Sequence, residues 1–142
     1  MSYVDVDYPQ GAHDAIDAVR WVSEHGPTIG IDPSRIIVAG DSAGASLSAA
    51  AARAAAEEGT RVALQILFYP VVSSKMDSPS YSQFADGFGL TRADMVQFLE
   101  LYGVGDERSR EQFSRVLANP VGGEAPALVV LAECDPLRDE GR

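Results

Sequence analysis

The stretch Ile36-Ile37-Val38-Ala39-Gly40-Asp41-Ser42-Ala43-Gly44-Ala45-Ser46-Leu47 constrains this chain more than any other. Its first four residues are apolar and mostly β-branched, which predicts a strand covered on both faces. Gly40 and Gly44 then flank Ser42 at the spacing G-x-S-x-G. The alanine-dense run over residues 43–58 has strong helix propensity. A strand must therefore pass into a helix through a very tight turn. Glycines are expected on either side because side chains there would collide with the neighbouring strand and helix.

Such a turn lifts a serine hydroxyl from the carboxyl end of a sheet, the setting of a nucleophile elbow. The Ala43 amide, first in the helix, would then point to where an oxyanion forms. A plainer alternative is a glycine-rich turn whose serine merely caps the helix. The strand before and the helix after favour the elbow. Asp41, beside the serine, either tunes it or caps the helix, and capping or local turn bonding is the preferred role.

Around this centre the chain alternates strands and helices. Residues 3–7 alternate weakly and predict a short strand. Residues 12–25 predict an amphipathic helix with Ala15, Val19 and Val22 on one face, ended by Gly26-Pro27. Residues 62–69 predict a second buried strand closed by Pro70, and residues 127–132 a third. Strands separated by a helix imply a parallel βαβ unit. Between the second and third strands lies a loop-like serine-rich segment. Two predicted helices follow it, over 92–102 with Thr91 as cap and over 106–117. A helical excursion of this length reads either as a lid over a site or as ordinary packing helices.

The bulk numbers exclude some partners. The 142 residues, 46% hydrophobic and 23% charged, predict one domain with a real core. A net charge of −10 argues against nucleic acid and anionic membrane surfaces, where basic patches are needed. No apolar run approaches the length of a membrane span. No basic segment followed by an apolar core follows Met1, so no signal peptide is expected. The single cysteine, Cys134, allows no internal disulfide, and a reducing, cytoplasmic setting is the expectation. Its expected role is that of a small buried hydrophobe.

A serine is a poor nucleophile without a base to take its proton and a third group to orient that base. In the strand-turn-helix architecture those partners follow the serine as an acid and then a histidine. Asp135 suits the acid, because it follows a buried strand and should lie at the same sheet edge as Ser42. Its plainer alternative is a loop carboxylate capping the next helix. Asp139 and Glu140 are alternatives that read better as helix N-terminal charge. The only histidines, His13 and His25, precede Ser42 and read as surface residues of the first helix. Tyr69 and Pro70 end the second strand and either line a pocket or pack structurally.

These blocks resemble the α/β-hydrolase esterases related to hormone-sensitive lipase. The resemblance rests on Gly40-Asp41-Ser42-Ala43-Gly44 preceded by Ile31-Asp32-Pro33-Ser34-Arg35-Ile36. It rests also on Tyr8-Pro9 followed by Asp14 and Ala18-Val19-Arg20-Trp21-Val22. Gln65-Ile66-Leu67-Phe68-Tyr69-Pro70 is similar to the family's following strand. Pro126-Ala127-Leu128-Val129-Val130, with Glu133-Cys134-Asp135-Pro136-Leu137-Arg138-Asp139-Glu140, is similar to its acid-bearing strand end.

The resemblance implies a partial α/β-hydrolase fold in one domain over residues 1–142. Its mainly parallel sheet would be flanked by helices, and residues 71–124 would form a cap-like insertion. It implies a carboxylesterase or lipase acting on small acyl esters with no metal or other cofactor, with Ser42 as nucleophile and Asp135 as triad acid. Two departures accompany it. The family's histidine-and-glycine oxyanion loop has no counterpart before Tyr3, and its histidine-bearing segment after the acid is missing. The chain thus resembles the middle of an esterase, and weak or no turnover is expected of it as written.

The same departures predict an exposed edge on the elbow strand. The expected cover is residues 3–7, a second copy of the chain, or a complementing chain. The competing reading is a non-catalytic α/β module that binds a small molecule or a partner through the same cleft. A nucleotide-binding domain is disfavoured, because residues 40–44 are not G-x-G-x-x-G and no phosphate-binding lysine follows.

Overall fold

The structure, a computed structural model, describes residues 8–118 and 121–142. The strand expected over residues 3–7 lies outside the described residues. Helix α1 spans Gln10–His25 and passes into a 3-10 turn over Gly26–Ile29. Gly30 ends that turn at φ 82°, a left-handed conformation that suits glycine. A second 3-10 turn over Pro33–Arg35 leads into strand β1, Ile37–Asp41. Helix α2 (Ala43–Glu57) and strand β2 (Leu64–Phe68) complete the first βαβ unit.

Three helices follow: α3 (Pro79–Gln83), α4 (Arg92–Leu101) and α5 (Glu107–Ala118). Strand β3 is Ala127–Val130, and a last 3-10 turn covers Arg138–Gly141. The expectation that Thr91 caps α4 holds in full. Its hydroxyl accepts the Asp94 amide at 3.0 Å while the Asp94 carboxylate accepts the Thr91 amide, also at 3.0 Å. Helix α3 falls in the segment read as loop. It is short, and its only strong sequence signal is Pro79 in its first turn after Ser78.

The sheet is parallel, in the order β1-β2-β3. Asp41 pairs with Phe68, and Phe68 with Val130, so the three carboxyl ends are level. Whatever follows Asp41, Phe68 and Val130 therefore emerges at one edge. Helix α2 packs on one face against β1 and β2, and α1 packs on α2. Val38, Ala52, Ala55 and Val62 form the core there.

The opposite face corrects the expectation of strands buried on both sides. Ile37 is 54% exposed and Leu128 51%, with Phe68 and Val130 also exposed. By register these four residues share one face. No described helix lies over it. Apolar runs in a parallel sheet encode cover on both faces, and the cover on this one is not supplied by the described residues.

A second core sits outside the sheet. Val71, Met76, Tyr81, Met95, Leu99, Val104, Phe113 and Leu137 bury one another, with Tyr8 and Tyr102 against them. Residues 71–124 thus carry most of a core of their own. Leu137, in the turn that follows β3, belongs to that core.

Candidate active site

Ser42 stands at the N-cap position of α2 with φ 50° and ψ −120°, a conformation that L residues rarely adopt. Its side chain makes no capping hydrogen bond, although a serine at this position ordinarily would. Instead the backbone is pinned. The Ser42 amide donates to the Phe68 carbonyl at 2.9 Å, and its own carbonyl accepts the Ala45 amide at 3.1 Å. The turn therefore presents the hydroxyl at the carboxyl edge of the sheet without spending it on the helix. Asp41 does not cap the helix either, against the expectation, and is exposed at the end of β1.

The two glycines of the motif differ. A Cβ on Gly40 would lie 2.3 Å from the Gly44 carbonyl oxygen, far inside contact distance. A Cβ on Gly44 would meet nothing nearer than the Asp41 Oδ1 at 4.0 Å. Only the first glycine is sterically compelled, because the helix backbone folds back over the strand end at that point.

Tyr69, the residue after β2, also has positive φ, at 35°. Its amide donates to the Val130 carbonyl at 2.7 Å. Two strained non-glycine residues thus stand at adjacent strand ends, the kind of place where strain is retained for function.

Asp135 follows β3 at the same edge and is half-buried. Its Oδ1 accepts the Leu137 amide at 2.9 Å, so the carboxylate caps its own turn, as the plainer reading expected. Its Oδ2 has no hydrogen bond among the described residues. A carboxylate steadied on one oxygen and open on the other can do both jobs.

Asp139 and Glu140 are not simple helix charges. The Asp139 Oδ2 accepts the Ser80 amide at 2.9 Å, and the Ser80 hydroxyl donates to the Pro136 carbonyl at 2.6 Å. The Arg138 guanidinium beside Asp139 holds that carboxyl below the usual range. Glu140 accepts the amides of Val72 at 3.2 Å and Ser73 at 3.1 Å. None of these long-range bonds was readable from the sequence. Ser46, four residues beyond Ser42 on α2, is a further case: its hydroxyl donates to the Val71 carbonyl. Its one sequence signal is a polar residue on the buried face of an otherwise alanine-rich helix.

The histidines part company. His25 stacks on Trp21 at 5.2 Å between centroids, and its Nδ1 lies 3.2 Å from the Trp21 carbonyl oxygen, at the end of α1. His13 stands on the wall of a cavity of about 760 Å³ that also reaches Ser42 and Ala43. Apolar residues of four helices dominate that wall, among them Ile16, Leu47, Ala50, Met95, Leu99 and Phe113. Pro70 is buried, but neither it nor Tyr69 lines the cavity. Cys134 is exposed, against the expectation of a buried thiol.

A profile of the alpha/beta hydrolase fold matches residues 5–142. The chain belongs to the α/β-hydrolase fold family. An ethyl acetate hydrolase of Pseudomonas putida is 37% identical over 137 residues, covering 94% of this chain and 43% of that protein. The carboxylesterase NlhH of Mycobacterium tuberculosis is 39% identical over 139 residues, again 94% of this chain and 44% of its own length. Among solved structures, a thermostable esterase of Pseudomonas putida superposes with a TM-score of 0.89 at 41% identity, over 96% of this chain and 44% of that one. An esterase of Pyrobaculum calidifontis gives 0.87 at 34% identity, over 96% and 46%. The chain thus spans less than half the length of these α/β-hydrolase relatives. The resemblance read from its motifs and the fold class it implied both hold.

Proposed function

We propose that these residues are the elbow-and-acid part of a serine carboxylic ester hydrolase. The observation that carries this is the strained Ser42, raised at a helix N-cap with its hydroxyl left out of the cap. In this reading the Ser42 Oγ attacks the ester carbonyl while a base takes its proton. The Ala43 amide, which has no partner within its helix, donates to the oxyanion. The alcohol leaves with a proton, and water then releases the acyl group from Ser42. Asp135 orients the base through its open oxygen. The cavity beside Ser42 takes the apolar part of a small acyl ester.

The base is supplied by a further segment or chain, a reading supported by the share of its relatives that this chain spans. The sheet face left uncovered by the described residues, and the edge of β1 that no described strand pairs, are where a second copy or a complementing chain would seat.

The test has two arms. A fluorophosphonate probe should label wild-type protein and not Ser42→Ala. Turnover of a short-chain p-nitrophenyl ester by the 142 residues should stay near the Ser42→Ala background, on the order of 10⁴-fold or more below a complete triad. Robust turnover abolished by Ser42→Ala would place the base on His13, His25 or a partner copy. No labelling at all would favour the non-catalytic module.

A further inference from the structure

The segment after β2 is bound in three directions. The Ser46 hydroxyl holds the Val71 carbonyl to the elbow helix. The Ser74 hydroxyl donates to the Arg110 carbonyl at 2.9 Å, reaching α5. Between these, the amides of Val72 and Ser73 both turn to one oxygen, the Oε2 of Glu140. Glu140 belongs to the turn that begins at Asp135, and Leu137 of that turn is buried in the second core. The carboxylate therefore joins the strand end beside Ser42 to the turn that carries the acid.

We propose that Glu140 is a positioning residue: by gathering the Val72 and Ser73 amides it clamps the Asp135 turn to the β2 exit and sets the acid's place relative to Ser42. The clamp stands on its geometry alone. Its meaning for catalysis rests on the reading of Asp135 as the triad acid.

The groups around Glu140 make this clamp sensitive to protons. Tyr81 of α3 is buried, and its hydroxyl faces the Glu140 carboxylate in the field of Asp135 and Arg92. Asp77, in the loop before α3, adds like charge, while Arg138, Asp139 and Arg142 belong to Glu140's own turn. Burial above all, with a smaller push from Asp77, raises the Glu140 carboxyl to about 6, against the pull of the Ser73 and Val72 amides and the Tyr81 hydroxyl. A carboxyl whose value is higher in the clamped state than in the open one binds protons more tightly when clamped. The clamp must therefore tighten as pH falls through about 6 and loosen above it. From 4.5 when open to about 6 when clamped, the opening equilibrium can change by roughly 30-fold at most.

The experiment uses the whole chain. Amide hydrogen exchange at Val72 and Ser73, corrected for intrinsic rates, is followed from pH 4.5 to 7.5. In parallel a trifluoromethyl reporter on Cys134, the only cysteine and exposed beside Asp135, is followed by fluorine NMR. Wild-type protection should rise as pH falls, and the reporter should titrate with a midpoint near 6. Glu140→Gln, a neutral isostere, should show at pH 7 the protection wild type shows at pH 5, with no titration at the reporter. Asp77→Asn should move the midpoint lower. Glu140→Ala should lose the protection at every pH.

Three results would overturn the proposal: wild-type protection with no pH dependence, a titration that survives in Glu140→Gln, or unchanged protection in Glu140→Ala. A global loss of stability would lower protection everywhere and leave the midpoint where it is. Failure of Ser42 to take a fluorophosphonate would count against the esterase reading and leave the clamp standing.

Discussion

Gly40 lies directly beneath Gly44, so close that a Cβ on the first would sit 2.3 Å from the carbonyl oxygen of the second. The crossing is backbone against backbone, with no flexible side chain to yield. Gly40→Ala should therefore cost about 3 kcal/mol or more, at the upper end of overpacking. Gly44→Ala meets only open space and ordinary contacts, and a helical alanine should gain about 0.5–1 kcal/mol over glycine. Thermal unfolding of the two variants decides it, and equal melting temperatures would refute the steric account.

Strain at Ser42 should be recoverable as stability. Its φ of 50° with ψ of −120° is open to glycine and disfavoured for serine. Ser42→Gly should raise stability by about 1 kcal/mol while abolishing reaction with a fluorophosphonate. Denaturant unfolding checks the first half. A Ser42→Gly protein less stable than Ser42→Ala would mean that the turn is not strained.

Leu137 is 1% exposed and ties the acid turn into the second core. Leu137→Ala should cost about 2–5 kcal/mol, as large-to-small changes in cores do. Exchange should rise first at residues 135–140 and in α3, ahead of β1 and α2. Uniform loosening of the whole chain would show that the two cores unfold as one.

Thr91→Ala should cost about 1 kcal/mol and fray the start of α4. Thr91 also holds the Asp94 carboxyl below its ordinary range by donating its hydroxyl and its amide to that carboxylate. A lowered carboxyl contributes stability above its unfolded value, near 3.8, and loses it as pH falls through the folded value. The Thr91→Ala variant should thus lose less stability on acidification than wild type does. Parallel unfolding curves at pH 6 and pH 3 measure this, and an unchanged difference between them would remove Asp94 from the acid response.

The bare sheet face should announce itself in solution. Ile37, Phe68, Leu128 and Val130 form an apolar surface that a soluble protein ordinarily covers. Sedimentation should show association that grows with concentration, and Ile37→Lys with Leu128→Glu should suppress it. A monomer at all concentrations, with rapid amide exchange at residues 36–38, would mean that neither this face nor the β1 edge recruits a partner.

Much of this molecule was legible in the order of its residues. Propensity, capping and turn chemistry act between near neighbours, so α2, α4 with its Thr91 cap, and the placing of Ser42 outside the helix all follow from local sequence. Helix α3 was missed because five residues carry too little periodicity to read. Cys134 was misplaced because an apolar run predicts cover without saying whether cover is present.

The sequence by itself determined a strand, a tight turn with a raised serine, a helix, and an acid at a later strand end. Their causes are steric and lie within a few residues of one another. Only the tertiary structure decided that Ser46 holds Val71, 25 residues away, that Ser80 meets Asp139 across 59, and that Glu140 reaches Val72 across 68. Serine and carboxylate side chains hydrogen-bond whatever polar group the folded chain brings near, and no local preference names that group in advance.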